Sequence, residues 1–204
     1  MTELNYVCLK CGKCCFNLSF SNADYIKRIP LYPEEVDKLI EIAKKRQIPL
    51  KVKEDLVFPD ILNKKILVLT YRFILDENGY CVFYDPKIGC TIHESKPFAC
   101  QAYPLAIKRI DAFNLEITVD ATCNWVEEHH IKLENIDFNK IKLIFSEGFK
   151  KAEAFLTKNK ELQLHIRRME VENKIKIARQ ISSEDFNRAL KNWKRDEIRI
   201  NDLI

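Results

Sequence analysis

Glycine is scarce. The chain of 204 residues has four, at positions 12, 79, 89 and 148. None stands in a glycine-rich turn following a strand, so the common dinucleotide-binding and methyltransferase builds, in which backbone must approach a cofactor closely, are excluded. A Walker-type phosphate loop, a Ser-His-Asp signature and an H-E-x-x-H pair are missing as well. Long apolar runs are absent. "ILVLTY" at 66–71 is far too short to span a bilayer. The opening "MTELNYVCLKC" has neither a basic n-region nor an apolar h-region, so the expectation is a cytoplasmic protein with no membrane partner and mostly reduced cysteines. Charge of one sign is nowhere concentrated. The formal net charge is +4, with Lys and Arg interleaved among Asp and Glu, which reads as a solvated surface rather than a nucleic-acid footprint.

Against this background cysteine stands out. There are eight, at positions 8, 11, 14, 15, 81, 90, 100 and 123. Four fall within "CLKCGKCC" at 8–15, which has the C-x2-C-x2-C spacing. Each two-residue gap reverses the chain locally, so three sulfurs can face one centre. Bacterial ferredoxins open on the same spacing, but their fourth ligand would fall on Leu18 here, so this is no ferredoxin. Cys14 and Cys15 are neighbours whose side chains, in an extended segment, would point apart and serve two centres more easily than one. Cys81, Cys90 and Cys100 lie in a second stretch with turn signals at Asp85-Pro86 and Ile88-Gly89, a loop able to bring its sulfurs together. Cys123 supplies an eighth sulfur.

Three readings compete. Buried small core residues would not need such clustering. A disulfide framework conflicts with a reducing compartment and with the vicinal pair. Metal or cluster ligation fits best, and a four-thiolate zinc site can contribute about 10–16 kcal/mol to a small domain. Soft thiolates favour zinc or an iron–sulfur cluster over magnesium or calcium. Eight sulfurs suit two zinc sites, one cluster plus one zinc, or one cluster with spare cysteines, and the ferredoxin-like opening leans toward iron–sulfur for at least one centre. Two divalent ions held by eight thiolates would change the net charge by about −4 and so cancel the formal excess. The histidines are weaker candidates. His93 lies between Cys90 and Cys100 and suits a ligand or a hydrogen-bonding neighbour of the ligands; His129, His130 and His165 read as exposed.

The expected fold class is α+β: a small antiparallel sheet with helices around a cysteine metal centre, plus an α-helical C-terminal extension. Residues 1–126 form the cysteine-bearing domain and 127–204 a helical extension that packs on it or meets a protein partner. Residues 32–47 read as a helix, with Pro33, Glu34 and Glu35 in the first turn and Pro49 as its stop. Residues 66–75 read as a strand, and the Asn78-Gly79 turn predicts that 80–84 returns as its hairpin partner. A strand is expected at 115–120, and helices at 138–156, 161–180 and 182–193, the last with Ser182 as N-cap and Asp185 three residues on.

"CLKCGKCC", "GYCVFYDPKIGCTIHESKPFACQAYP" and "VDATCNW" together resemble the YkgJ-type cysteine-cluster family, a zinc- or iron-chelating domain, over about residues 6 to 126. The resemblance implies a metal or iron–sulfur centre (4Fe-4S among the options) held by Cys8, Cys11, Cys14, Cys15, Cys81, Cys90 and Cys100, with Cys123 at the later family cysteine. Two positions depart from the pattern. His93 stands where the family commonly has Tyr, and Lys96 where it commonly has Arg, which removes a planar fork for anions. The flagellin lysine-N-methylases carry a similar cysteine pattern, which implies methyltransferase activity as an alternative. Whether the chain is an enzyme stays open, and a nucleic-acid-binding zinc module is a third reading.

Overall fold

The computed structural model describes residues 4–15, 29–111 and 114–203, without the side chain of Cys15 or those of 202 and 203. In chain order its elements are β1 (Pro30–Leu31), α1 (Pro33–Arg46), β2 (Val52–Asp60), β3 (Lys65–Phe73), β4 (Tyr84–Asp85), β5 (Gly89–Cys90), α2 (Phe98–Ala102), β6 (Leu105–Arg109), β7 (Leu115–Val119), α3 (Asn124–Glu128), α4 (His130–Leu133), α5 (Phe138–Ile144), α6 (Ser146–Val171), α7 (Ser183–Asn192) and β8 (Lys194–Glu197). Single 3-10 turns occupy Lys13–Cys15, His93–Ser95 and Ile200–Leu203. This is the expected α+β class, with small antiparallel sheets and a helical C-terminal region. Among the described residues no helix is long and apolar enough to cross a membrane.

The chain divides into two compact units, each built from two stretches: Met1–Ile29 with Leu75–Thr157, and Pro30–Ile74 with Lys158–Ile204. Residue 126, where the cysteine-bearing part of the sequence ends, lies inside the first. In the second unit β3 is the central strand. Its Ile66, Leu67, Val68 and Leu69 are all at most 3% exposed, the continuous apolar run of a strand covered on both faces. β2 pairs with it antiparallel from Val52↔Phe73 to Asp60↔Lys65. The other edge is shared by β1, antiparallel at Leu31↔Tyr71, and β8, parallel from Lys65↔Lys194 to Val68↔Glu197. The hairpin predicted after Asn78-Gly79 does not form on β3. A turn is present there, with the Gly79 N–H donating to Asp76 O at 3.0 Å, but both edges of β3 are already taken, and Tyr84–Asp85 pairs with Gly89–Cys90 instead.

α1 starts as expected, with Pro33 at its first position and the Tyr32 N–H donating to Glu35 Oε2 at 2.9 Å. It stops at Gln47, whose left-handed backbone (φ 56) lets the Ile48 N–H reach Ala43 O. Pro49 therefore follows the stop rather than making it. Ser182 caps α7, its Oγ accepting from the Asp185 N–H at 3.0 Å. Ala189 and Leu190 of that helix pack on Ile66 and Val68. The helix expected over 161–180 ends at Val171. Asn173 takes a left-handed φ of 55 and the Lys174 N–H bonds Met169 O, so Ile175 and Ala178 leave the helix and run beside the end of β2.

The first unit holds two hairpins, β4–β5 and β6–β7, with α2 to α5 and the start of α6. β7 is the strand expected near 115–120. The helix expected over 138–156 is broken at Phe145 (φ −105, ψ 33) into α5 and α6. Its apolar stripe still supplies the core. Phe145 and Phe149, each 1% exposed, pack with Leu105, Cys123, Trp125, Val126 and Ala152. Burying each ring contributes roughly 1.5–3 kcal/mol. This core fixes the platform on which the cysteine loops rest.

Candidate metal centre

The first cysteine loop is anchored before it turns. The Tyr6 N–H donates to Ile144 O at 2.8 Å, and its ring meets Trp125 edge-on at 5.2 Å and Phe145 at 5.1 Å. Lys10 (φ 52) and Gly12 (φ 77) then reverse the chain into the 3-10 turn at 13–15. Gly12 is required there twice over. Its φ disfavours any side chain, and a β-carbon would stand within 2.5 Å of Tyr84 Cζ. So the ring of Tyr84, three residues past Cys81, lies against the first cysteine loop.

The second loop is held by its own polar groups. The Tyr84 N–H bonds Cys81 O at 2.8 Å, and β4 and β5 put Tyr84 opposite Cys90. Asp85 Oδ1 accepts from the Lys87 and Ile88 N–H groups, which closes the turn predicted at Asp85-Pro86. The Thr91 hydroxyl and N–H both donate to Phe83 O at 2.9 Å, and Phe83 is buried beneath. Cys100 sits in α2, whose start is tied down by Gln101 Nε2 donating to Lys96 O at 2.6 Å. Cys123 directly precedes α3.

None of the seven described cysteines is in a disulfide. Cys81, Cys100 and Cys123 are buried; Cys8, Cys11, Cys14 and Cys90 are half-buried. Burial pushes the Cys100 thiol well above its usual range, and the negative charges of Cys14, Cys81 and Cys90 push it further, against a smaller opposing effect of Lys96. Cys123 is also raised, first by burial; the amides of Val126 and Trp125 oppose this, the charge of Cys11 adds to it, and the Tyr6 hydroxyl opposes it. Burial, with the charges of Cys8 and Cys123 adding to it, in turn pushes the Tyr6 phenol well above its usual range. Cys14, Cys81 and Cys90 are thus near enough to Cys100 for their charges to act on it, Cys11 is near enough to act on Cys123, and Tyr103 feels both Cys123 and Cys14.

Among the described residues no three His, Cys, Asp or Glu side chains are placed so that together they could hold a metal ion. The donor set nevertheless has the chemistry for one. Buried thiols that raise one another's proton affinity become thiolates only beside a cation, and sulfur donors select zinc or iron over hard ions. Of the eight expected ligands, Cys15 has its side chain outside the described residues. His93 places Nδ1 3.4 Å from Glu94 Oε1, while its Nε2 is buried without a partner among the described residues. His129 and His130 turn their Nδ1 atoms to the carbonyls of Trp125 and Glu127, each at 2.8 Å. His165 lies on α6 in the second unit. Tyr6 escaped the sequence reading. An aromatic residue near a chain start looks like core, and only its position two before Cys8 marked it.

Residues 7–128 match the model of the CxxCxxCC family, "Putative zinc- or iron-chelating domain". No curated protein and no solved structure matches the chain. The match spans more than half of the sequence and includes every cysteine, so the chain belongs to this family of zinc- or iron-chelating domains.

Proposed function

We propose that this zinc- or iron-chelating protein gathers its thiolates into two adjacent centres. One is made by Cys14, Cys81, Cys90 and Cys100; the other contains Cys8, Cys11 and Cys123, with Cys15 as the eighth thiolate that the sequence supplies. What supports this reading is that Cys14, Cys81 and Cys90, from two separate stretches of chain, are near enough to buried Cys100 for their charges to raise its proton affinity. A divalent ion there would turn mutual repulsion into shared attraction. Its binding energy would also become folding energy, because the site joins segments that an unfolded chain holds far apart. Four sulfurs per ion suit tetrahedral zinc or an iron centre, in a structural or a redox role.

The test is elemental analysis of anaerobically purified protein, with acid-labile sulfide and visible absorption. Brown protein with iron and sulfide gives an iron–sulfur centre; colourless protein with stoichiometric zinc gives a structural one. Cys100→Ser and Cys123→Ser should each lose metal, and full retention in both variants would remove these residues from the site. S-adenosylmethionine binding by calorimetry checks the methylase alternative.

A further inference from the structure

We propose that Tyr84 is a positioning residue for the metal site, its ring, braced by Tyr80, setting where the turn from Cys11 to Cys14 stands against the second cysteine stretch. The inference rests on the metal-binding reading above, but on no particular sharing of the thiols between centres. Tyr84 touches both cysteine stretches. Its backbone N–H donates to Cys81 O at 2.8 Å, it is paired with Cys90 across β4 and β5, and its ring lies against Gly12. A β-carbon built on Gly12 would stand against Cε2 of that ring and within 2.5 and 2.9 Å of Cζ and Cδ2. The hydrogen that glycine carries in the same direction therefore points at the ring. Cys11 directly precedes Gly12 and Cys14 follows it by two residues, so a shift of Gly12 is carried into both sulfurs.

The ring is itself held. Tyr80 is stacked on it, with centroids 5.0 Å apart and planes at 14°. Tyr80 in turn is fixed by Asp76, whose Oδ1 accepts from the Tyr80 N–H at 2.8 Å and whose own N–H donates to Tyr80 O at 2.9 Å. The Asn78-Gly79 turn, which builds no hairpin on β3, thus has a use: it delivers Tyr80 to Tyr84. Metal ligation is strict about distance. A zinc–sulfur bond is about 2.3 Å long, and ligands must be kept within about 0.5 Å of their productive places by side chains that are themselves packed. A flat ring can lie close beside a glycine α-carbon, whereas a branched aliphatic side chain has no flat side to offer. The role belongs to the ring and not to its hydroxyl. With the Lys10 backbone also seated on Gly89, losing the ring would leave the loop docked but its turn free to shift.

The experiment uses the full chain, reduced and anaerobic, with cobalt(II) and zinc as probes. Cobalt affinity is read by chelator competition at the thiolate charge-transfer band. The two α-protons of Gly12 are read by NMR in the zinc-loaded protein, where the ring current of Tyr84 should separate their shifts. Tyr84→Phe should match the native chain in every readout. Tyr84→Leu should keep the cobalt stoichiometry, weaken binding roughly 10- to 100-fold, shift the charge-transfer band and bring the two Gly12 shifts together. Tyr80→Leu should move the same readouts in the same direction by less. If Tyr84→Leu does not fold, Tyr80→Leu carries the test, and native affinity in it overturns the inference. A merely structural role would lower the unfolding temperature of the metal-free chain and leave the spectrum of bound cobalt native. Such a native spectrum in Tyr84→Leu, equal losses in Tyr84→Phe and Tyr84→Leu, or unaltered Gly12 shifts in Tyr84→Leu each overturn the role of Tyr84 alone. A native chain that develops no thiolate band with cobalt overturns the metal-binding reading, and this inference with it.

Discussion

The carbonyl oxygen of Lys10 lies 2.5 Å from where a β-carbon on Gly89 would stand. The backbone of the first cysteine loop is thus seated directly on the β4–β5 turn that precedes Cys90. Gly89 also has a φ of +80, so a side chain there meets both strain and a carbonyl that cannot swing away. Gly89→Ala should cost about 1–2 kcal/mol for the left-handed backbone alone, and more from the displaced loop. The expected outcome is a lower unfolding temperature together with a lower metal content. Gly148→Ala is the control. Its new methyl would find nothing nearer than Ala102 O at 3.5 Å, and helix interiors favour Ala over Gly by roughly 0.5–1 kcal/mol. It should stabilise the protein and leave its metal content alone.

Removing the metal should loosen one unit and spare the other. The amides of Tyr84 and Thr91 are held by Cys81 O and Phe83 O within the cysteine loops, whereas the β2–β3 ladder lies in a unit with its own apolar centre. Hydrogen exchange measured with and without a chelator should show those two amides exchanging at least about tenfold faster on chelation, with β3 amides unchanged. Equal acceleration in both units would mean that the metal supports the whole chain.

Asp60 is fully buried and serves four donors: the N–H groups of Leu62, Asn63 and Lys176, and Asn63 Nδ2. It ties the β2–β3 turn to the segment following α6. Asp60→Ala would leave those donors unpaired at about 1–3 kcal/mol for each one that stays buried. The expected loss is about 3 kcal/mol or more in denaturant unfolding. Asp60→Asn, which keeps one acceptor oxygen, should lose less.

Alkaline pH should expose a set of reluctant tyrosines. Burial, then the charges of Glu35, Glu34 and Glu161, raises Tyr32 well above the usual phenol range. Burial, then the bond to Glu197 at 2.6 Å, does the same for Tyr71. A folded value above the unfolded one of about 10 means that this stability is intact below about pH 10 and drains away as pH climbs toward the folded values. Absorbance titration of the seven tyrosines should therefore show a late fraction, and denaturant midpoints should fall above about pH 10. In Tyr71→Phe both the late fraction and the fall should shrink.

What the sequence announced and what it concealed differ for physical reasons. α1 and α7 were legible because Pro33, Glu35, Ser182 and Asp185 act within one helical turn. β3 was legible because a strand covered on both faces must be apolar throughout. β2, "VKEDLVFPD", and β8, "KRDE", carry edge-strand chemistry, with charge and a proline, and owe their existence to β3 beside them rather than to their own pattern. The failed hairpin has a local cause as well. Asp76 Oδ1 captures the N–H groups of Asn78 and Tyr80, so the turn forms and then sends the chain toward Cys81. For the site, residue types and spacing named the thiols. Which thiol faces which depends on the seating of Lys10 on Gly89 and of Tyr84 on Gly12, contacts between stretches more than 70 residues apart that no spacing encodes.

The first unit is interrupted in sequence by Pro30–Ile74, and this bears on how the protein is made. Cys8 leaves the ribosome more than a hundred residues ahead of Cys123. At ordinary elongation rates that is a delay of roughly ten seconds. For that interval the nascent polypeptide trails reactive sulfur with no partners in place, open to oxidation or to the wrong ion. Delivery of the ion for the centre that includes Cys8 and Cys123 would have to wait until synthesis has passed residue 123, which makes assembly of that centre a late event in the life of each molecule.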